Sequence, residues 1–308
     1  MTGGMRPHFA DRLAALVEER RSRVVLGLDP DPAALWPEAV ERLGRGGGEP
    51  HLARIRTAEA VNEHCRAAIV AAGPACVAVK PQLACFERLG APGWDVLEQV
   101  VAIAHDHGLL VIADGKRGDV PVTARAYGQA LVGETPGPFG AVSGLGADAF
   151  TANPLLGRDA LEPFADAAAE SGAGCFVLVR TSNPGAAELQ DEGEPPLYER
   201  LARLVAELGA DRVGDGGLSA IGAVAGATRS DHLARLRELM PHAIFLLPGV
   251  GAQGGRVEEL GPAFAPGPAA AIVSASRSIV DAHRERGGDP ASAAAAAAEE
   301  LRAAVEAL

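Results

Sequence analysis

Leu109-Leu110-Val111-Ile112-Ala113-Asp114-Gly115-Lys116-Arg117-Gly118-Asp119 is an apolar run that ends in acid, lysine and acid. Such a run, apolar at every position, fits a strand covered on both faces, as in a parallel sheet. Seven more stretches of the same kind occur, at Val24–Leu28, Cys76–Lys80, Ala149–Thr151, Cys175–Arg180, Ser219–Val224, Ala243–Leu247 and Ala271–Ser274. Between them lie Ala/Leu/Glu/Arg-rich segments of helical period, among them Arg54–Ala71, Trp94–His107, Leu155–Ser171, Leu197–Leu208 and Ser230–Met240. Strand alternating with helix predicts a parallel sheet. Eight repeats in 308 residues predict a closed α/β barrel of the (β/α)8 (TIM) type rather than an open sheet. One domain is expected over residues 1–308, with a barrel core from about 20 to about 285, an N-terminal helix and an alanine-rich C-terminal helix at Ala291–Leu308. Gly44–Pro50 and Asp191–Pro196 read as surface loops decorating that core.

Composition narrows the partners. Hydrophobic residues make up 48% and aromatics 4%, so Ala, Val, Leu and Ile must build the core. A net charge of −12 argues against nucleic acid or an anionic membrane as the main partner. A phosphate can still be held, through a local site. The four cysteines show no C-x-x-C spacing, and Cys76 and Cys175 lie in apolar runs, as buried inert thiols do. That usage fits a reducing cytoplasm. Met1–Arg12 has no apolar signal core and no run reaches membrane-spanning length, so a soluble cytoplasmic protein is expected.

Only two lysines occur, Lys80 and Lys116, beside 26 arginines (28 basic residues minus 2). A lysine kept under such a bias points to a role that a guanidinium cannot fill, since only the ammonium can release its proton near neutral pH. Both lysines close predicted strands, and the active sites of these barrels lie at the C-terminal strand ends. Strand alternation places Asp114 and Lys116 on one side. With Lys80 from the neighbouring strand and Asp119 from the loop, cation and anion alternate. Each buried charge then has a neighbour of opposite sign. Such an array can stabilise a developing carbanion and protonate it. The bland alternative is a structural ion-pair network at the barrel mouth.

Gly249-x-Gly251-x-x-Gly254 has the form of a dinucleotide fingerprint, but it comes late in the chain and no acid closes a second strand at the expected distance. A phosphate site is the better reading. The loops after the last two barrel strands commonly build one from backbone N–H groups. Gln253 can donate through its amide, and Arg277 at the next strand end offers a bidentate fork. His105 and His107 are two apart and share no helix face, which disfavours a metal pair.

Asp114-x-Lys116-Arg117-x-Asp119 followed by Thr123, Lys80 at the second strand end, Thr181-Ser182-Asn183-Pro184-Gly185 and Pro248-Gly249-Val250-Gly251-Ala252-Gln253-Gly254-Gly255 together resemble the orotidine 5'-phosphate decarboxylase family, in its longer bacterial (type 2) branch. The resemblance runs from about Val24 to Ile279. It implies conversion of orotidine 5'-phosphate to uridine 5'-phosphate and carbon dioxide, the last step of de novo pyrimidine synthesis. It implies that Lys116 protonates C6, while Asp114 and Asp119 hold the lysines and crowd the substrate carboxylate. It further implies that Lys80 and Asp29 contact the ribose hydroxyls, that Ser182 bonds the pyrimidine, and that Gln253 and Arg277 hold the phosphate. Pro248 and Gly254 join the substrate-binding set. Asp119 and Thr123 would cross from a partner subunit, giving a homodimer with shared sites. No metal and no cofactor is implied. Two rivals remain in view, a metal-dependent sugar-phosphate decarboxylase or aldolase-like synthase on the same barrel and a non-catalytic phosphate-binding barrel. The first would carry an acid where Lys80 stands. The second would need the glycine-rich loop but neither lysine.

Overall fold

The computed structural model describes residues 6–44, 49–227, 230–251 and 254–308. Eight parallel strands close into a barrel in strict chain order. They are β1 (Val24–Leu28), β2 (Ala78–Pro81), β3 (Leu110–Arg117), β4 (Ala149–Ala152), β5 (Gly174–Arg180), β6 (Ser219–Ala225), β7 (Ala243–Pro248) and β8 (Ala271–Ala275). β8 returns to β1 through Val24↔Val273 and Leu26↔Ala275, so no strand edge is left open. The expected eight strands are all present, the first with both ends as expected and no end displaced by more than three residues. The largest displacement is at β3, expected over Leu109–Asp114, which runs on through Lys116 to Arg117.

Period-two alternation sorts the apolar residues into two layers. Val25, Ile112, Phe176, Ile244 and Ile272 belong to an inner cluster that also holds Phe9, Ala10 and Leu13 of the N-terminal helix Phe9–Arg20. That helix seals the barrel floor, where the Phe9 ring meets Phe176 edge-on at 5.9 Å. Val24, Leu26, Val79, Val111 and Val273 face outward into the larger cluster shared with the surrounding helices.

Proline marks where several of those helices begin. Pro50–Ala72, Pro121–Leu131 and Pro290–Glu306 each open on it, where the missing N–H leaves no intrahelical bond unmade. Pro121 therefore starts the helix that follows Asp119. An antiparallel hairpin, Glu134–Thr135 with Val142–Ser143, interrupts the chain before β4. It is absent from the sequence reading because two-residue strands are too short to show alternation. Of the loop expected at Gly44–Pro50, residues 45–48 lie outside the described residues, and Pro50 already belongs to a helix. Cys65, Cys76 and Cys175 are buried free thiols. Burial pushes the Cys76 and Cys175 thiols up to about 12. Among the described residues no helix is long and apolar enough to cross a membrane.

Candidate active site

The top of β3 is irregular. Its register with β4 runs Ile112↔Ala149 and Ala113↔Phe150, then slips and resumes at Arg117↔Ala152. Three residues, Asp114 to Lys116, thus face Thr151 alone, as in a bulge that re-aims side chains. Lys116 adopts φ 47°, in the left-handed region, at a cost on the order of 1–2 kcal/mol for a side-chain-bearing residue. Simple alternation, the basis on which Asp114 and Lys116 were expected on one side, does not describe this turn. The bulge brings them together instead.

Asp114 is the hub. Lys80 Nζ donates to its Oδ2 at 2.6 Å, and Lys116 Nζ donates to its Oδ1 at 2.6 Å. Thr151 Oγ1 donates to Oδ1 at 2.9 Å, and Gln82 Nε2 reaches Oδ2 at 3.3 Å. Thr151 Oγ1 also accepts the Lys116 backbone N–H at 2.8 Å, fixing the bulge to the carboxylate it serves. Lys80 and Asp114 are buried, while Lys116 is exposed to the cavity. Burial alone would raise the Asp114 carboxyl, but the two ammonium groups outweigh it and hold it at about 2. Burial likewise opposes the Lys80 charge, and the carboxylates of Asp114 and Asp29 overcome it, lifting Lys80 above its ordinary value. Thr151 was missed from the sequence. The available signal was a lone hydroxyl in the otherwise apolar strand Ala149-Phe150-Thr151-Ala152.

These groups stand at one wall of a cavity of about 840 Å³ at the C-terminal strand ends. Asp29, Ser182, Pro248 and Arg277 line it with Lys80, Asp114 and Lys116. Arg277 is exposed there. Asp119 and Thr123 do not line this cavity. The chain leaves β3 after Arg117, whose carbonyl accepts the Asn153 N–H at 2.7 Å. Asp119 Oδ1 there accepts the Val120 N–H at 2.8 Å, at the head of helix Pro121–Leu131. The four-charge array expected in one chain is thereby corrected to Lys80–Asp114–Lys116, with Asp29 as a further carboxylate near Lys80.

The glycine-rich loop also differs from expectation. Gly249, Gly251 and Gly254 all take positive φ, which explains the residue type at each. Yet the N–H groups of Gly251, Gly254 and Gly255 bond to carbonyls within the loop, at 2.9–3.0 Å, and are not aimed at a ligand. Gly254 does not line the cavity, and Gln253 lies outside the described residues. Arg277 is the cation placed at this end.

Residues 22–297 match the model of the family described as Orotidine 5'-phosphate decarboxylase / HUMPS family. The chain belongs to that family. Its similarity to the orotidine 5'-phosphate decarboxylase of Deinococcus radiodurans is 40% identity over 302 residues, covering 98% of this chain and 99% of that protein. The structure of Leishmania donovani OMP decarboxylase superposes with a TM-score of 0.68 at 30% identity, covering 97% of this chain and 98% of that one. The structure of Leishmania donovani UMP synthase superposes with a TM-score of 0.71 at 31% identity over 98% of this chain, which spans 56% of that longer chain. In this orotidine 5'-phosphate decarboxylase relative, the Lys80–Asp114–Lys116 cluster sits where barrel enzymes place their chemistry.

Proposed function

We infer that the chain converts orotidine 5'-phosphate to uridine 5'-phosphate and carbon dioxide. The observation that carries this reading is one buried carboxylate, Asp114, holding an ammonium on each oxygen at the wall of a nucleotide-sized cavity. Arg277 in the same cavity supplies a fork for a 5'-phosphate. With the phosphate there, the pyrimidine lies toward the β5 loop and C6 toward the lysines. The C6–carboxylate bond breaks, carbon dioxide leaves, and the electron pair stays on C6. The two ammonium groups stabilise that charge in a preorganised field. Lys116 then transfers a proton from Nζ to C6, and the amine recovers a proton from water. Lys116 suits this role because it is the more exposed of the two lysines, whereas Lys80 is buried and fixed. Lys80 and Asp29 are left to meet the ribose hydroxyls. The metal-dependent rival fits less well, since a lysine already paired to Asp114 occupies the position where it needs an acid.

We propose that two chains pair and share their sites. Asp119 and Thr123 stand away from the cavity of their own chain, and Val120 and Val122 beside them are 54% and 84% exposed. Leu155 and Leu156 of the following strand-end loop are exposed as well. In such a pair, Asp119 and Thr123 of each chain would serve the other's site. The cytoplasm is the proposed compartment, in keeping with free, unpaired cysteines.

The direct test follows ultraviolet absorbance as the protein is mixed with orotidine 5'-phosphate without added metal. Conversion to uridine 5'-phosphate is expected, and it should be insensitive to a chelator. Lys116→Ala should lower turnover by on the order of 10²–10⁴-fold, the contribution of a positioned proton donor, while uridine 5'-phosphate still binds. Unchanged turnover would remove Lys116 from the mechanism, and full loss with chelator would favour the metal-dependent rival.

A further inference from the structure

We propose that Arg180 and Asp191 are positioning residues that close the loop after β5 over the pyrimidine end of the cavity. This rests on the decarboxylase reading above. Thr181, Ser182, Asn183, Pro184 and Gln190 from this loop all line the cavity. Hydrophobic burial does little to hold the loop there. Between Thr181 and Asp191 only Ala186 is buried, and Leu189 is 70% exposed. Polar closure does the holding. Arg180, buried at the end of β5, donates from Nε to Asp191 Oδ1 at 2.7 Å and from Nη2 to Asp191 Oδ2 at 3.0 Å. Its Nη1 donates to the Thr181 carbonyl. One residue before Asp191, Gln190 Oε1 accepts the Thr181 N–H at 2.8 Å, and its Nε2 donates to Thr181 Oγ1 at 3.0 Å. Thr181 Oγ1 in turn donates to Asn183 Oδ1 at 2.6 Å. The two ends of the loop are therefore bound to each other by a bidentate ion pair and a two-bond amide bridge. A chain of hydrogen bonds runs from that closure to the residues flanking Ser182. Gly226, at the end of β6, lets the Ser182 backbone lie against it, since a Cβ there would come within 3.0 Å of Ser182 N and Cα.

A bidentate guanidinium–carboxylate pair fixes orientation as well as distance, which a single point charge does not. The expected consequence is selective. Losing the closure should loosen the ring contacts and leave the phosphate end, on β8, as it was. The test measures binding of uridine 5'-phosphate and of ribose 5-phosphate to the intact protein and to Arg180→Met, Arg180→Lys and Asp191→Asn, with steady-state kinetics on orotidine 5'-phosphate. Uridine 5'-phosphate should bind about ten- to a hundredfold more weakly to Arg180→Met and Asp191→Asn, as for a lost charge-assisted contact. Ribose 5-phosphate should bind all four proteins alike, KM should rise by more than kcat falls, and Arg180→Lys should recover part of the loss. Equal weakening of both ligands would mean general structural damage and overturn the assignment, as would no weakening of either. Should Arg180→Met fail to fold, Asp191→Asn, which keeps the size of the side chain but removes its charge and one of the two oxygens that accept from Arg180, decides the matter alone. Absence of decarboxylation by the unaltered protein would instead sink the underlying reading of function.

Discussion

Asp114 carries two ammonium groups on one buried carboxylate, and that arrangement should leave a mark in acid. Its carboxyl lies at about 2, against an ordinary 3.8, so the folded state binds this proton less readily than the unfolded chain. The stabilisation is then complete above about pH 4 and is lost as pH falls from there toward the folded value, an effect of about 2 kcal/mol. Unfolding free energies measured in denaturant between about pH 5 and 2 should show this slope in the native sequence, with Asp114→Asn less acid-dependent by about that amount. An identical acid slope in the two proteins would show that the carboxylate is not held as described. The same substitution should also abolish turnover, because it removes the carboxylate to which both Lys80 and Lys116 donate. The glycines of the β7 loop show a different use of residue type. They serve positive φ, and their N–H groups are engaged within the loop itself.

Among the elements, the N-terminal helix Phe9–Arg20 shows what tertiary contacts add to pattern. Below the barrel, Asp148 is buried and accepts from Arg12 Nη1 at 2.5 Å, from the Val111 N–H at 2.9 Å and from His105 Nε2 at 2.9 Å when that nitrogen carries the proton. The helix, β3 and the helix Ala91–Asp106 are thereby tied to one carboxylate on the approach to β4. Asp148→Asn should cost about 2–3 kcal/mol, the range for hydrogen bonds to a charged group. A lowered denaturation midpoint with unchanged kcat at 25 °C would be the expected result, and an unchanged midpoint would contradict it. The eight strands were legible because parallel strands buried on both faces write continuous apolar runs, and most helices because their period repeats over three turns or more. Lys80 and Lys116 were legible because lysine is so rare here. The bulge at Lys116 was not, since register depends on the partner strand β4. Nor was Asp191, which reads in sequence as one more acid in an exposed loop and acquires its role only from the buried Arg180 eleven residues earlier.

At the scale of the whole molecule, the position of Asp119 poses the main question. The sequence places it five residues after Asp114, yet the fold turns it away from the cavity that Asp114 and Lys116 line. If two chains share their sites, Lys116 and Asp119 at any one site come from different chains. Lys116→Ala and Asp119→Ala would each be inactive alone. Mixed in equal amounts under conditions that exchange subunits, half the dimers would be hybrids. Each hybrid would hold one site with both native residues and one with neither. Activity should therefore return to about a quarter of that of the unaltered protein, a consequence of two-fold symmetry alone. Recovery should follow the rate of subunit exchange and fail when the chains are kept apart by dilution. A charge placed at exposed Val122, as in Val122→Asp, should weaken the pair and reduce activity in proportion to the monomer present in sedimentation. If the mixture stays as inactive as its components while both variants still form dimers, Asp119 acts within its own chain or not at all, and the exposed Val120–Val122 surface needs another partner.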